Sequence, residues 1–267
     1  MKIHFTKCHA NGNDFILILK QNFPSNISKE KIIRLLCNRN KGIGADGLFI
    51  ISNSNNYDFL LDYYNSDGSW ETLCANGSRC ACLFMFESNS LINKKMTFEA
   101  GDGIHKAEIK NDNSVSMSMI TPKYKSQLIS PEGFNGYFID SGARHFVSEY
   151  KKMENDENNI NIAKKIRFHE IFMPKGANIN FYNKQPNNII NILTYEKGIE
   201  KFVLSCSSGS MAVVYHLYQT LNLKPPITTF SLGGSLKFDF DENLQNIWCT
   251  GPSEILFFGD FNYNLKP

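Results

Sequence analysis

The chain has little arginine and no long apolar run. Five arginines (Arg34, Arg39, Arg79, Arg144 and Arg167) stand among 28 basic residues against 26 acidic ones, for a formal charge of +2. Neither sign is gathered into a block, so the electrostatic footprint of a nucleic-acid or anionic-membrane binder is missing. A small molecule is the expected partner. No stretch approaches the roughly 20 apolar residues of a membrane span, and the opening Met1-Lys2-Ile3-His4-Phe5-Thr6-Lys7 lacks the apolar core of a signal peptide. The expected compartment is the cytoplasm. The seven cysteines form no C-x-x-C knuckle, and an odd count without an export signal does not suit a disulfide framework. Cys74, Cys80 and Cys82 are spaced by six and two with no second cluster to complete a zinc site, so no metal is expected. Cys8, Cys37, Cys80, Cys82 and Cys249 lie among apolar neighbours and are expected to be packed thiols.

The sequence does contain a repeat. Cys74-Ala75-Asn76-Gly77-Ser78 and Cys206-Ser207-Ser208-Gly209-Ser210 are near-copies, each leading into an apolar run. Thirty residues before them stand Gly44-Ala45-Asp46 and Gly176-Ala177-Asn178, and twenty-seven residues after them Gly101-Asp102-Gly103 and Gly233-Gly234-Ser235. Three landmarks at one offset of 132 residues mark a duplicated domain. Its pseudo-two-fold symmetry would point two thiols at one site from opposite sides.

Strands are expected at 3–6, 15–20, 48–51, 59–64, 97–98, 104–110 and 115–119, with a helix over 29–38 capped by Ser28 and another over 79–86. The second half repeats this order, with its apolar helix at 211–221. The Asn- and Glu-rich stretch from Lys151 to Asn161 is read as a solvated excursion without a site role. The expected class is α+β: two pseudo-symmetric domains, each a mixed β-sheet or barrel wrapped around a central helix, with the active site in the cleft between them. The first covers 1–120 and carries Cys74, and the tail from about 256 to 267 is expected to join it. The second covers 121–255 and carries Cys206.

A helix N-terminus offers unpaired N–H groups and partial positive charge, so it binds carboxylate and favours thiolate. One such loop suits a nucleophile or an anion site. Two related by duplication would hold an amino acid's carboxylate between two helix starts, with a sulfur on each face of its α-carbon. One thiolate would take the proton and the opposing thiol would return one to the other face, without a cofactor.

These residues resemble the diaminopimelate epimerase family nearly end to end. The matching segments are Gly12-Asn13-Asp14-Phe15, Gly42-Ile43-Gly44-Ala45-Asp46-Gly47, Tyr64-Asn65-Ser66-Asp67-Gly68-Ser69, Cys74-Ala75-Asn76-Gly77-Ser78-Arg79-Cys80, Tyr195-Glu196-Lys197-Gly198, Cys206-Ser207-Ser208-Gly209 and Thr250-Gly251-Pro252. The resemblance implies a cofactor-independent isomerase that interconverts LL- and meso-diaminopimelate for lysine and peptidoglycan synthesis. It makes Cys74 and Cys206 the acid–base pair, and Asn13, Asn65, Asn178 and Glu196 ligands of the substrate's polar groups. It gives the backbone of Ala75, Asn76, Ser207 and Ser208 the reacting carboxylate, and His145 and Glu196 a part in tuning the thiols.

Departures from the family pattern gather at the far end of the substrate. Gly142-Ala143-Arg144-His145 stands where Gly-Asn-Pro-His is usual, Glu196-Lys197 where Glu-Arg is usual, and Gly47 where Gln is common. Lys replaces a bidentate fork by a point charge, which leaves Arg144 and Lys197 as the cations available to a distal carboxylate; for Arg144 a plain surface role is equally open. The second enzymatic reading is therefore a racemase of histidine or a basic amino acid on the same fold. A non-catalytic relative is a third reading, and retention of both cysteines speaks against it. No nucleic-acid or membrane partner is expected, and a homodimer is allowed.

Overall fold

The computed structural model describes residues 1–263; the remainder of the 256–267 tail lies outside the described residues. The chain divides into two units, Met1–Met117 joined by the segment from Gly251 onward, and Ser118–Thr250. No helix among the described residues is long and apolar enough to cross a membrane.

The first unit contains β1 (Lys2–Ala10), β2 (Asn13–Leu19), α1 (Lys29–Cys37), β3 (Gly47–Ser52), β4 (Phe59–Asn65), the two-residue β5 (Trp70–Glu71), α2 (Ala75–Glu87), β6 (Lys95–Ala100), β7 (Gly103–Ile109) and β8 (Val115–Met119). The second unit contains β9 (Lys123–Tyr124), β10 (Tyr137–Asp140), β11 (Arg144–Glu149), α3 (Glu157–Arg167), β12 (Asn178–Gln185), β13 (Ile189–Glu196), β14 (Lys201–Phe202), α4 (Ser207–Leu221), β15 (Ile227–Ser231), β16 (Gly234–Asp239) and β17 (Ile247–Gly251). The last strand, β18 (Glu254–Asn262), lies antiparallel to β1 in the first unit.

The two sheets have one topology. In the first, the order is β18, β1, β2, β3, β4, β6, β7, β8, with parallel pairs only at β2/β3 and β4/β6. In the second, it is β9, β10, β11, β12, β13, β15, β16, β17, parallel only at β11/β12 and β13/β15. Each parallel pair encloses a helix: α1 and α3 join the first pair of each unit, α2 and α4 the second. A parallel connection needs such a crossover. The fold is α+β, and the repeat in the sequence is a repeat of topology.

Residues 15–19 of β2 and 48–51 of β3 are continuously apolar because both faces of these strands are covered there. Ile16, Ile18, Leu48 and Ile50 pack with Ile32, Ile33 and Leu36 of α1, whereas Phe49 on the opposite face meets α2 at Gly77. In the second unit Phe146, Ile179, Phe181 and Leu193 pack with Ala163 and Ile166 of α3. Eleven of the thirteen residues of α2 are buried, against β1, β2, β3, β7 and β18, so the helix forms the unit's centre. Each unit also has a cavity, of about 410 Å³ beside Phe84 of α2 and about 430 Å³ beside His216 of α4. Those two positions are again 132 apart. Neither cavity is lined by a thiol loop.

Three elements differ from the sequence expectation. Both central helices begin four residues early, at Ala75 and Ser207, because the carbonyls of Cys74 and Cys206 already accept from Ser78 N and Ser210 N at 2.9 Å. Small polar residues in the first turn hid the start. The stretch read as a solvated excursion becomes helical from Glu157, since the Asp156 side chain accepts from Asn159 N and caps α3. A methyl group on Gly77 would overlap the Phe49 ring. We expect Gly77→Ala to destabilise the protein by about 1–3 kcal/mol, the usual cost of overpacking a core, read from the denaturant midpoint in urea.

Candidate functional site

In the first unit the Cys74 loop is held from β2. Cys74 occupies the N-cap of α2 in an extended conformation (φ −130°, ψ 109°), which leaves the first-turn N–H groups pointing out of the helix end. Asn13, where β2 begins, accepts at Oδ1 from Asn76 Nδ2 at 3.2 Å and from the Cys74 thiol at 3.9 Å. Its own Nδ2 donates to Asp46 at 2.7 Å. Asp46 in turn belongs to a charge cluster with Arg39, Asp14 and Lys7. Burial raises the Asp14 carboxyl, but hydrogen bonds from Arg39 and Lys7 outweigh it and hold the pKa down to about 2. Asn13 is thus anchored to a rigid ionic base.

Arg79, fully buried in α2, donates to Asn76 Oδ1 at 2.9 Å and to Asn11 Oδ1 at 3.2 Å. It fixes which end of the Asn76 amide faces Asn13. Gly47 leaves room for Tyr63, whose ring lies where a Cβ would be, and the Tyr63 hydroxyl donates to Asn65 Oδ1 at 2.9 Å. Asn65 Nδ2 also donates to Ser69 Oγ at 3.1 Å. The structure therefore gathers Asn13, Cys74, Ala75 and Asn76 at one helix start, with Gly47 and Asn65 paired across β3 and β4.

In the second unit Cys206 caps α4 with the same backbone shape (φ −139°, ψ 103°), and its sulfur accepts from Gly209 N at 3.4 Å. Ser208 Oγ lies 3.5 Å from that sulfur and 3.0 Å from His145 Nε2, and Ser141 Oγ donates to the Ser208 carbonyl at 2.7 Å. His145 is fully buried; burial lowers its pKa to about 4, with the bond from Asn180 and the charge of Asp140 opposing. The ring is neutral at physiological pH. By the repeat offset His145 takes the position of Asn13, so each thiol loop is met by one polar side chain from the third strand of its sheet.

Asn178 opens β12 beside His145 and accepts at Oδ1 from Lys197 N at 2.8 Å, which ties it to the turn after Glu196. That turn is fastened from below: Arg167 of α3 donates to Glu200 at 2.9 Å, and Glu200 accepts from Gly198 N at 3.0 Å. Arg167 lies at the C-terminal end of α3, beyond the 151–161 stretch read as solvated. Lys197 carries no ion pair with a described residue. Arg144 stands apart. Alternation along β11 puts it on the face of Phe146, turned to α3, and its guanidinium lies 4.9 Å over the Phe138 ring. The structure brings His145, Asn178, Glu196, Lys197, Ser207 and Ser208 to the Cys206 end of the unit and leaves Arg144 on the opposite face of the strand.

The other cysteines differ in kind. Cys8, Cys37, Cys80, Cys82 and Cys249 are buried, while Cys74 and Cys206 are partly exposed. Burial pushes the Cys37 thiol up to about 12 and those of Cys8 and Cys82 well above the usual range. A thiol kept protonated in apolar packing is inert; the two at helix starts have N–H groups and solvent within reach.

Sequence reasoning missed Tyr63, Arg79, Ser141, Asn180 and Thr194. Arg79 had a signal, being a charged position at the head of an apolar helical run; Asn180 had none, since it alternates with Ile179 and Phe181 as any strand residue does. Tyr63 had none, since only the register of β3 against β4 places it over Gly47.

Comparisons with known proteins agree with this architecture. A family model described as Diaminopimelate epimerase matches residues 5–125. The chain is 35% identical to a diaminopimelate epimerase of Aquifex aeolicus (strain VF5), covering 96% of this chain and 97% of that one. It is 34% identical to one of Flavobacterium psychrophilum, covering 96% and 98%. Among solved structures, a probable proline racemase from Agrobacterium radiobacter K84 matches with a TM-score of 0.77 over 99% of this chain and 94% of that one, at 13% identity, a likeness of fold. With more than 30% identity along nearly its whole length, the chain belongs to the diaminopimelate epimerase family and is an isomerase.

Proposed function

We propose that this protein inverts the α-carbon of LL-diaminopimelate to give the meso isomer, with Cys74 and Cys206 as the two proton-transfer groups and no cofactor. The observation that carries the reading is the pair of cysteine N-caps with one backbone shape: an extended cysteine at the N-terminus of a largely buried helix, in both halves of a duplicated fold. One sulfur, as thiolate, takes the α-proton. The opposing thiol gives its proton to the other face and becomes the thiolate, so the enzyme finishes in the form that runs the reverse reaction. In this reading both thiols act on one substrate, one on each face of its α-carbon.

An α-proton is far less acidic than a thiol, so the carbanionic charge must be met by donors already in place. N–H groups of Ala75, Asn76, Ser207 and Ser208 are assigned that role on the carboxylate, each donor worth on the order of 3 kcal/mol in the transition state. Asn13, Asn65, Asn178 and Glu196 are assigned the substrate's remaining polar groups. The names of the family and of the relatives support diaminopimelate, and with it a place in lysine and peptidoglycan synthesis in the cytoplasm. A racemase of histidine or a basic amino acid is the second reading, favoured by Ala143 and Lys197, where the usual distal-end asparagine and arginine are absent.

Serine at either Cys74 or Cys206 should lower turnover by orders of magnitude, because a hydroxyl is a far weaker base than a thiolate. Chiral analysis of the product measures this, and near-normal turnover in either variant would remove the two-base assignment. The distal carboxylate separates the substrates. Since Lys197 has no ion-pair partner among the described residues while Arg144 is stacked on Phe138, Lys197→Ala should raise KM for LL-diaminopimelate on the order of tenfold or more, the scale of a lost charge contact. Arg144→Ala should change it less than about threefold, a rim-like effect. Steady-state kinetics on LL-diaminopimelate, histidine, lysine and ornithine checks both. Turnover of another amino acid with none of diaminopimelate would select the second reading.

A further inference from the structure

A chain of hydrogen bonds runs from the middle of the second sheet to Cys206. Thr194 Oγ1 donates to Asn180 Oδ1 at 3.0 Å. Asn180 Nδ2 lies 3.1 Å from the Phe146 carbonyl and 3.0 Å from His145 Nδ1. His145 Nε2 lies 3.0 Å from Ser208 Oγ, which lies 3.5 Å from the Cys206 sulfur. Three of these contacts have no direction until the protons are placed, and the surroundings place them. The Phe146 carbonyl is an acceptor only, so the amide end facing it is the NH2 group. Its second hydrogen then points at His145 Nδ1, which must be the unprotonated nitrogen.

A neutral imidazole carries its proton on the other nitrogen, so Nε2–H donates to Ser208 Oγ. With that lone pair taken, the Ser208 hydroxyl has the Cys206 sulfur as its acceptor. We propose that Asn180, braced by Thr194, is a positioning residue that fixes the tautomer of His145 and thereby aims the Ser208 O–H at Cys206. The consequence rests on the reading of Cys206 as a reacting thiol. A hydroxyl donating to sulfur, added to Gly209 N–H, stabilises the thiolate over the thiol. The opposite order, Ser208 donating to Nε2, would leave the sulfur with one donor fewer.

Space at this point is reserved for the amide. A Cβ on Gly209 would overlap Asn180 Oδ1, so the helix start and the amide are fitted together. The first unit lacks this device. The glycine that corresponds to Gly209 is Gly77, and a Cβ there would meet the apolar Phe49 ring instead of an amide. In the first unit the Cys74 thiol instead meets the Asn13 carbonyl oxygen, an acceptor.

Nitrogen-15 NMR of the intact, imidazole-labelled protein at pH 7, with His145 assigned by its loss in His145→Gln, reads the tautomer directly. The Nε2–H form is expected, and an Nδ1–H or doubly protonated ring overturns the proposal. In a second arm, Asn180→Leu and Thr194→Val are alkylated with iodoacetamide and the two thiols followed by peptide mapping. Cys206 should react about tenfold more slowly relative to Cys74 in Asn180→Leu, the scale of one hydrogen bond lost from a charged sulfur, and less markedly in Thr194→Val. An unchanged ratio in both overturns the proposal. If Asn180→Leu does not fold, the wild-type spectrum and Thr194→Val decide. Neither readout uses turnover, so failure here is distinct from failure of the epimerase assignment.

Discussion

A helix buried along its whole length must still satisfy four N–H groups at its start, and the rest of this architecture follows from how that is done. In α2 and α4 the first turn, buried except at the half-buried Ser208, is built from Ala, Ser, Asn and Gly, so that no long side chain crosses its N–H groups. The N-cap, usually Ser, Thr, Asp or Asn, is cysteine. Those residues make poor helix interiors and a good anion cradle, and the cost is borne by packing: Phe49 closes against Gly77 and the Asn180 amide against Gly209.

The halves share a topology, but their electrostatics have diverged. Arg79 lies beneath the Cys74 turn, whereas the same position of the repeat, Met211, is apolar. His145 and Ser208 stand where the first half has Asn13 and Asn76. One thiol is met by a carbonyl acceptor, the other by an N–H and a hydroxyl. The proposed two-thiol reaction needs both protonation patterns, and a duplicated scaffold lets each side be adjusted without disturbing the other.

Much of this was legible because duplication turns weak local signals into a shared register. A lone Cys-Ala-Asn-Gly-Ser is a turn; two copies with flanking glycines at one spacing define a domain, and the sheets bear the same order and the same parallel pairs. The apolar pattern puts both helix starts four residues late because the first turn is polar, and the 151–161 stretch reads as solvated because it holds only the polar start of α3, whose buried Ala163 and Ile166 lie beyond it. Contacts across strands left no trace in the sequence. Asn180 looks like any strand residue until β12 is set against β11, and Arg144, next to His145 in sequence, falls on the other face because strand neighbours alternate.

The central claim is that two different sulfurs handle the proton on its way out and on its way in. Running the purified, reduced enzyme on LL-diaminopimelate in deuterium oxide and sampling at low conversion tests it most directly. Two groups on opposite faces predict meso product carrying a full α-deuterium while the remaining LL substrate is unlabelled. Product that retains the substrate's own α-hydrogen would contradict the account, since it would mean that one group carries the proton from one face to the other.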